Sequence, residues 1–152
     1  MSPGGFLYEH ILGLDTKANT AVVRGDKDNK FDVSYLVDIG KAVGAIVTFG
    51  DYGKLPNKIR ISSDRITSDE ALDHYEKIHP GVKITRTYVS KEDTYKKAHE
   101  MYDASFDFKD FFFYLEYIVS QGVDKGNSFS VNENELINPG ESLFKWTKFG
   151  SI

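Results

Sequence analysis

A mixed α/β fold is what this sequence predicts, on three observations. Short runs such as "TAVVRG" and "VKITRTYV" alternate apolar with polar residues, the period of an extended chain with one buried face. Longer runs, 36–49 above all, repeat apolar residues at the helical period. Among them stand Ser or Thr residues followed three positions later by an acid, the mark of a capped helix start.

Taken in order, "FLYEHILGL" (6–14) predicts a helix or the end of one, closed by Gly13. Thr20 to Gly25 predicts a strand, "GDKDNK" a turn, and Phe31 with Val33 a second extended piece, so a hairpin is expected. From Leu36 to Phe49, residues Leu36, Ile39, Val43, Ile46 and Val47 fall at helical spacing. Asp38 stands in the first turn, where a negative charge complements the exposed amides. Gly40 and Gly44 form a small pair four apart, which in a soluble helix marks close approach to a neighbouring backbone.

"DYGKLPNK" reads as a loop, and "KIRISS" (58–63) as a strand carrying Ile59 and Ile61 on one face. Thr67 and Glu70 have the spacing of a capping box. The helix they open buries Ala71, Leu72, Tyr75 and Ile78 and ends at Pro80-Gly81. Residues 82–89 predict a strand, and Ser90 with Asp93 opens the next helix. Its Glu92–Lys96 and Asp93–Lys97 spacings suit ion pairs of roughly 0.2–0.5 kcal/mol each on a solvated face. Asp107 caps "FKDFFFYLEYIVSQ", with an apolar stripe of Phe108, Phe111, Phe112, Leu115, Ile118 and Val119. Phe113, Tyr114 and Tyr117 project to its other sides, so the helix is expected to be buried on more than one side. A short strand near 128–131 and an amphipathic "ESLFKWTKF" close the order.

The composition bounds what the chain does. At 152 residues it fits one domain with one core. A net charge of −4, from 19 basic and 23 acidic side chains, disfavours direct nucleic-acid binding, which calls for a basic excess or stripe. The absence of cysteine excludes disulfides, thiolate metal sites and cysteine nucleophiles. The start lacks a basic segment and an apolar run, and no stretch has the ~20 apolar residues of a membrane span. A soluble, cytoplasmic protein is expected. Aromatic residues make up 14%, enough to fill a core or to line a pocket for a flat ligand.

Motifs that carry chemistry are sparse. No GxGxxG fingerprint follows a strand, no phosphate loop occurs, and no Tyr has a Lys four residues on. The histidines at 10, 74, 79 and 99 lack metal-ligand spacing, and no GxSxG elbow exists. Neither a metal nor a catalytic residue is assigned.

Several segments nonetheless have a familiar order. "GGFLYEHILG", "AVVRGDKDNKFDVSYLVDIGKAVGAIVT", "NKIRISSDRITSDEALDHYEKI" and "KITRTYVSKED" resemble the NmrA-like and isoflavone-reductase-like proteins of the atypical short-chain dehydrogenase group. The likeness runs from Gly4 to about Asp93 and continues more loosely through "FFFYLEYIVSQGVDKGNSFSV" to "ELINPGESLFKW". It implies that 1–152 is the C-terminal, substrate-binding portion of a Rossmann-type NAD(P)-binding protein, a small mixed α+β region. The N-terminal dinucleotide-binding portion, with its glycine loop and catalytic lysine, is then absent from this chain.

The resemblance also implies a parent NAD(P)(H)-dependent reductase or redox-sensing regulator, using NADP or NAD, with no cofactor bound by this chain alone. Phe6 and Tyr8 then occupy the turn that faces the substrate, and Phe112 the roof of the pocket, over a small aromatic molecule. The alternative is a non-enzymatic domain that docks a protein partner, or a second copy, through the aromatic helix 108–119. Strands that normally extend a larger sheet leave an unpaired edge and apolar surface, which calls for association.

Overall fold

Strand β2 (Thr20–Arg24) alternates as predicted, with Ala21 and Val23 buried and the residues between them more open. The computed structural model describes residues 7–151. It is a mixed α/β fold that divides into two compact units, 7–31 with 67–128 and 32–66 with 129–151. Phe6 lies outside the described residues.

The first unit starts with a wide helical turn, Leu7–Ile11, closed by a hydrogen bond from the Leu12 amide to the Leu7 carbonyl at 3.0 Å. Gly13 follows with φ +57, a conformation that glycine adopts without a Cβ penalty. A three-stranded sheet has β2 at its centre. Strand β1 (Leu14–Asp15) pairs with it antiparallel, and β5 (Thr85–Val89) pairs with it parallel. Helices α2 (Ser68–Ile78), α3 (Lys91–Ala104) and α4 (Phe111–Ser120) complete the unit. Its buried residues include Leu12, Leu14, Phe31, Leu72, Ala98 and Val119.

The predicted caps are present. Thr67 Oγ1 accepts from the Glu70 amide at 3.1 Å while Glu70 reaches back to the Thr67 amide at 2.7 Å. Ser90 Oγ accepts from the Asp93 amide at 3.0 Å. Of the expected buried face of α2, Ala71 and Leu72 are buried, Tyr75 is half-buried and Ile78 is exposed. The ion pair on α3 joins Lys96 to Glu100 at 3.8 Å, not to Glu92.

The expected hairpin is corrected. Strand β3 (Lys30–Val33) pairs with β4 (Asp64–Thr67), and β2 takes β1 and β5 instead. The reason lies in the turn. The Gly25 amide bonds the Val89 carbonyl at 2.9 Å, and Asn29 Nδ2 bonds the Val119 carbonyl at 2.8 Å. These ties hold the turn to β5 and α4, so the chain does not fold back on β2.

The second unit holds helix α1 (Leu36–Val47), the short helix α5 (Asn134–Ile137) and the extended tail. Ala42, Ile137 and Trp146 form its apolar centre, with Ile46, Ile59, Ile61 and Phe144 packed around it. Residues 58–63 are not a ladder strand. Side chains replace the neighbouring strand: Glu133 Oε2 accepts from the Arg60 amide at 2.5 Å, and Asn134 bonds both the amide and the carbonyl of Ser62 at 3.1 and 2.7 Å. The strand comes after, at β4. The tail "ESLFKWTKF" is not a helix either, because its amides are claimed by carboxylates. Asp38 accepts from the Thr147 amide at 2.7 Å and Asp64 from the Phe149 amide at 2.9 Å.

Candidate functional site

A small polar cluster forms in the first unit between strand β2 and helix α4. Alternation along β2 puts Arg24 on the face opposite Ala21 and Val23. Helix α4 lies there with Glu116 turned inward beside buried Val119 and Ser120. Two glycines allow the helix to come close. A Cβ at Gly13 would stand 3.1 Å from the Glu116 carboxylate, and one at Gly25 would stand 3.0 Å from the Ser120 carbonyl.

Arg24 Nε donates to Glu116 Oε2 at 2.6 Å, with both side chains about one-seventh exposed (14% and 13%). The guanidinium also lies over the Phe113 ring, 4.9 Å from its centre, and Lys97 Nζ stands 5.0 Å from the same ring. Burial pushes the Glu116 carboxyl above its ordinary range, and the Arg24 hydrogen bond and charge oppose this without cancelling it. The pair is close and the acid is still raised, so removal from water outweighs the single contact.

The cleft beside this pair is lined by Ile11, Leu12, Val23, Arg24, Glu116 and Val119 and holds about 10 Å³, room for one water. It admits a proton carrier of that size, not a flat aromatic ring. The chemistry within its reach is the holding and release of a proton at Glu116.

The residues expected at a substrate pocket take separate places. Tyr8 is buried, its ring edge-on to Tyr75 at 4.9 Å. Phe112 is partly exposed (39%) and stacks on His10 at 4.0 Å. Neither lines the cleft at Glu116. The stripe expected to be core is largely outward: Phe108, Phe111, Phe112 and Ile118 are exposed, and Val119 alone of the six is buried. The inward side of α4 is instead the Glu116–Val119–Ser120 side. A charged residue inside an aromatic helix is the signal for this that the sequence holds.

Strands β3, β4 and β5 each run into a helix, and two of these junctions are already capped by side chains. At β4–α2 and β5–α3 the first-turn amides of Glu70 and Asp93 already bond Thr67 and Ser90. Asp69, Glu70, Glu92 and Asp93 stand in the same turns and repel a diphosphate. Among the described residues no group of three or more His, Cys, Asp or Glu is placed to hold a metal ion. No helix among them is long and apolar enough to cross a membrane.

No family model matches the chain, and no curated protein matches it.

Proposed function

We propose that the chain is the substrate-side portion of an NmrA-like, isoflavone-reductase-like protein. Its parent activity is NAD(P)(H)-dependent reduction or redox sensing, and the dinucleotide is held by a Rossmann-type half other than these residues. One observation carries this reading. Asp38, the acid of the V-D-I-G helix start, is fully buried and bonds the Thr147 amide and hydroxyl at 2.7 and 3.0 Å. Ala42 of the same helix packs with Ile137 and Trp146 of "ELINPGESLFKW", so two segments that the resemblance names separately share one apolar centre. The capping box at Thr67 and Glu70, within the "TSDEAL" segment, also supports it.

Two titrations of the purified chain test it. Calorimetry with NADPH should give no saturable heat, and micromolar affinity contradicts the reading. Flat phenolic ligands should raise the melting temperature, less so in Phe112→Ala, where the exposed face of the His10 stack is lost. A panel with no effect on the wild type removes the substrate-side assignment.

A second reading, a docking module, is favoured by the outward aromatics of 108–119, where Phe108 is 76% exposed. Light scattering on Phe108→Ser with Phe111→Ser tests it. An unchanged mass at every concentration counts against it.

A further inference from the structure

Helix α1 is turned with its apolar side outward. Its buried residues are Asp38, Ala42 and Ala45, two of them small and one charged. The opposite side carries Leu36, Ile39, Val43 and Val47, exposed by 87%, 37%, 52% and 64%. Val37 beside them is exposed too. Gly40 and Gly44 lie on this side as well, and a Cβ built at either meets no atom within 4 Å. At about 100° per residue these seven positions span less than half the helix circumference. None is polar or charged. The close neighbour that the two glycines call for is missing among the described residues of this chain.

We propose that this face of α1 joins two copies of the chain in an antiparallel, two-fold contact. Area is the first reason. A face of this kind presents on the order of 600 Å² of apolar surface, the top of the range a single soluble chain carries. Two copies joined through it bury roughly 1,200 Å², where stable interfaces begin. Shape is the second. Leu36 and Val47 are bulky at the two ends, and Gly40 and Gly44 are bare between them. Reversed on itself, the stripe sets Leu36 of one copy beside Val47 of the other, and the same register seats Val43 over Gly40 and Ile39 over Gly44 on either side of the two-fold axis. An isologous contact needs this self-complementarity. With a glycine under each of these side chains, the two backbones can approach at the short end of the usual 8–10 Å between helix axes. Charge is the third. Asp38 is on the inward side and bonded to Lys41 and Thr147, so the contact desolvates no carboxylate.

Light scattering or sedimentation of the full chain, from micromolar to hundreds of micromolar, tests this. The wild type should pass from monomer to dimer within that range. Gly44→Leu and Val43→Lys should each raise the dissociation constant at least roughly tenfold. Gly44→Leu has open space for its side chain, so melting of the dilute monomer should stay level or rise, which separates lost association from lost folding. The proposal is overturned if the wild type stays monomeric throughout. It also falls if both variants keep the wild-type constant, or if Phe108→Ser with Phe111→Ser abolishes a dimer that the α1 variants leave intact.

Discussion

Arg24 and Glu116 stand 92 positions apart in sequence and 2.6 Å apart in space, and the carboxyl of that pair titrates above its ordinary range. Burial raises it, and Arg24 recovers only part of the cost. Such a pair constrains where α4 lies on β2 and holds a proton more firmly than a solvated glutamate does.

A pH dependence follows. The folded value of Glu116 lies above its ordinary 4.5, so the folded state binds its proton more tightly than the unfolded chain. The stabilising effect is complete below 4.5 and is lost as pH rises through the raised value. Melting temperatures across that window should fall more steeply with pH in the wild type than in Glu116→Gln. Parallel profiles would show that the carboxyl titrates as it does in the unfolded chain.

Asp38 has the opposite sign. Burial raises its carboxyl, but the Thr147 amide, with hydrogen bonds from Ser63, the Thr147 hydroxyl and Lys41, more than offsets this and holds it below the ordinary range. Its stabilisation is therefore present above 3.8 and lost as pH falls through the depressed value. Asp38→Ala should cost about 3 kcal/mol at neutral pH, because the Thr147 amide and the Lys41 charge lose their acceptor. Urea unfolding measures it, and a loss under about 1 kcal/mol would mean that the tail finds other partners.

Thr67→Ala removes the acceptor of the Glu70 amide at the start of α2 and should cost about 1 kcal/mol. Glu70→Ala removes the reciprocal bond to the Thr67 amide. The two changes act on one box, so the double variant should lose less than the sum of the singles. Denaturant midpoints at constant slope give the comparison.

Two glycines should respond in opposite ways. Gly44→Ala fills open space in a helix and should stabilise the dilute monomer by up to ~1 kcal/mol. Gly25→Ala puts a Cβ at φ +90 and 3.0 Å from the Ser120 carbonyl, and should destabilise by more than ~1 kcal/mol. Thermal melts of the two variants side by side distinguish the cases. Equal effects would contradict the close packing of α4 on the end of β2.

Local signals in the sequence determined a good deal of this molecule. The start of α1, the box at Thr67, the cap at Ser90 and the strand at Thr20–Arg24 are all legible, because hydrogen bonds three or four residues apart and side-chain periods are written locally. The tertiary structure decided the rest. Periodicity found the stripe of α1 and the stripe of α4 but not which side of either helix is covered. Leu36 and Phe112 are outward, while Asp38 and Glu116 are inward. The partner of β3 and the Asp38 anchor on Thr147, 109 positions away, were equally beyond local pattern. Such pairings depend on which buried polar groups find partners across the whole chain, and a carboxylate with enough donors around it is buried more favourably than its residue type suggests.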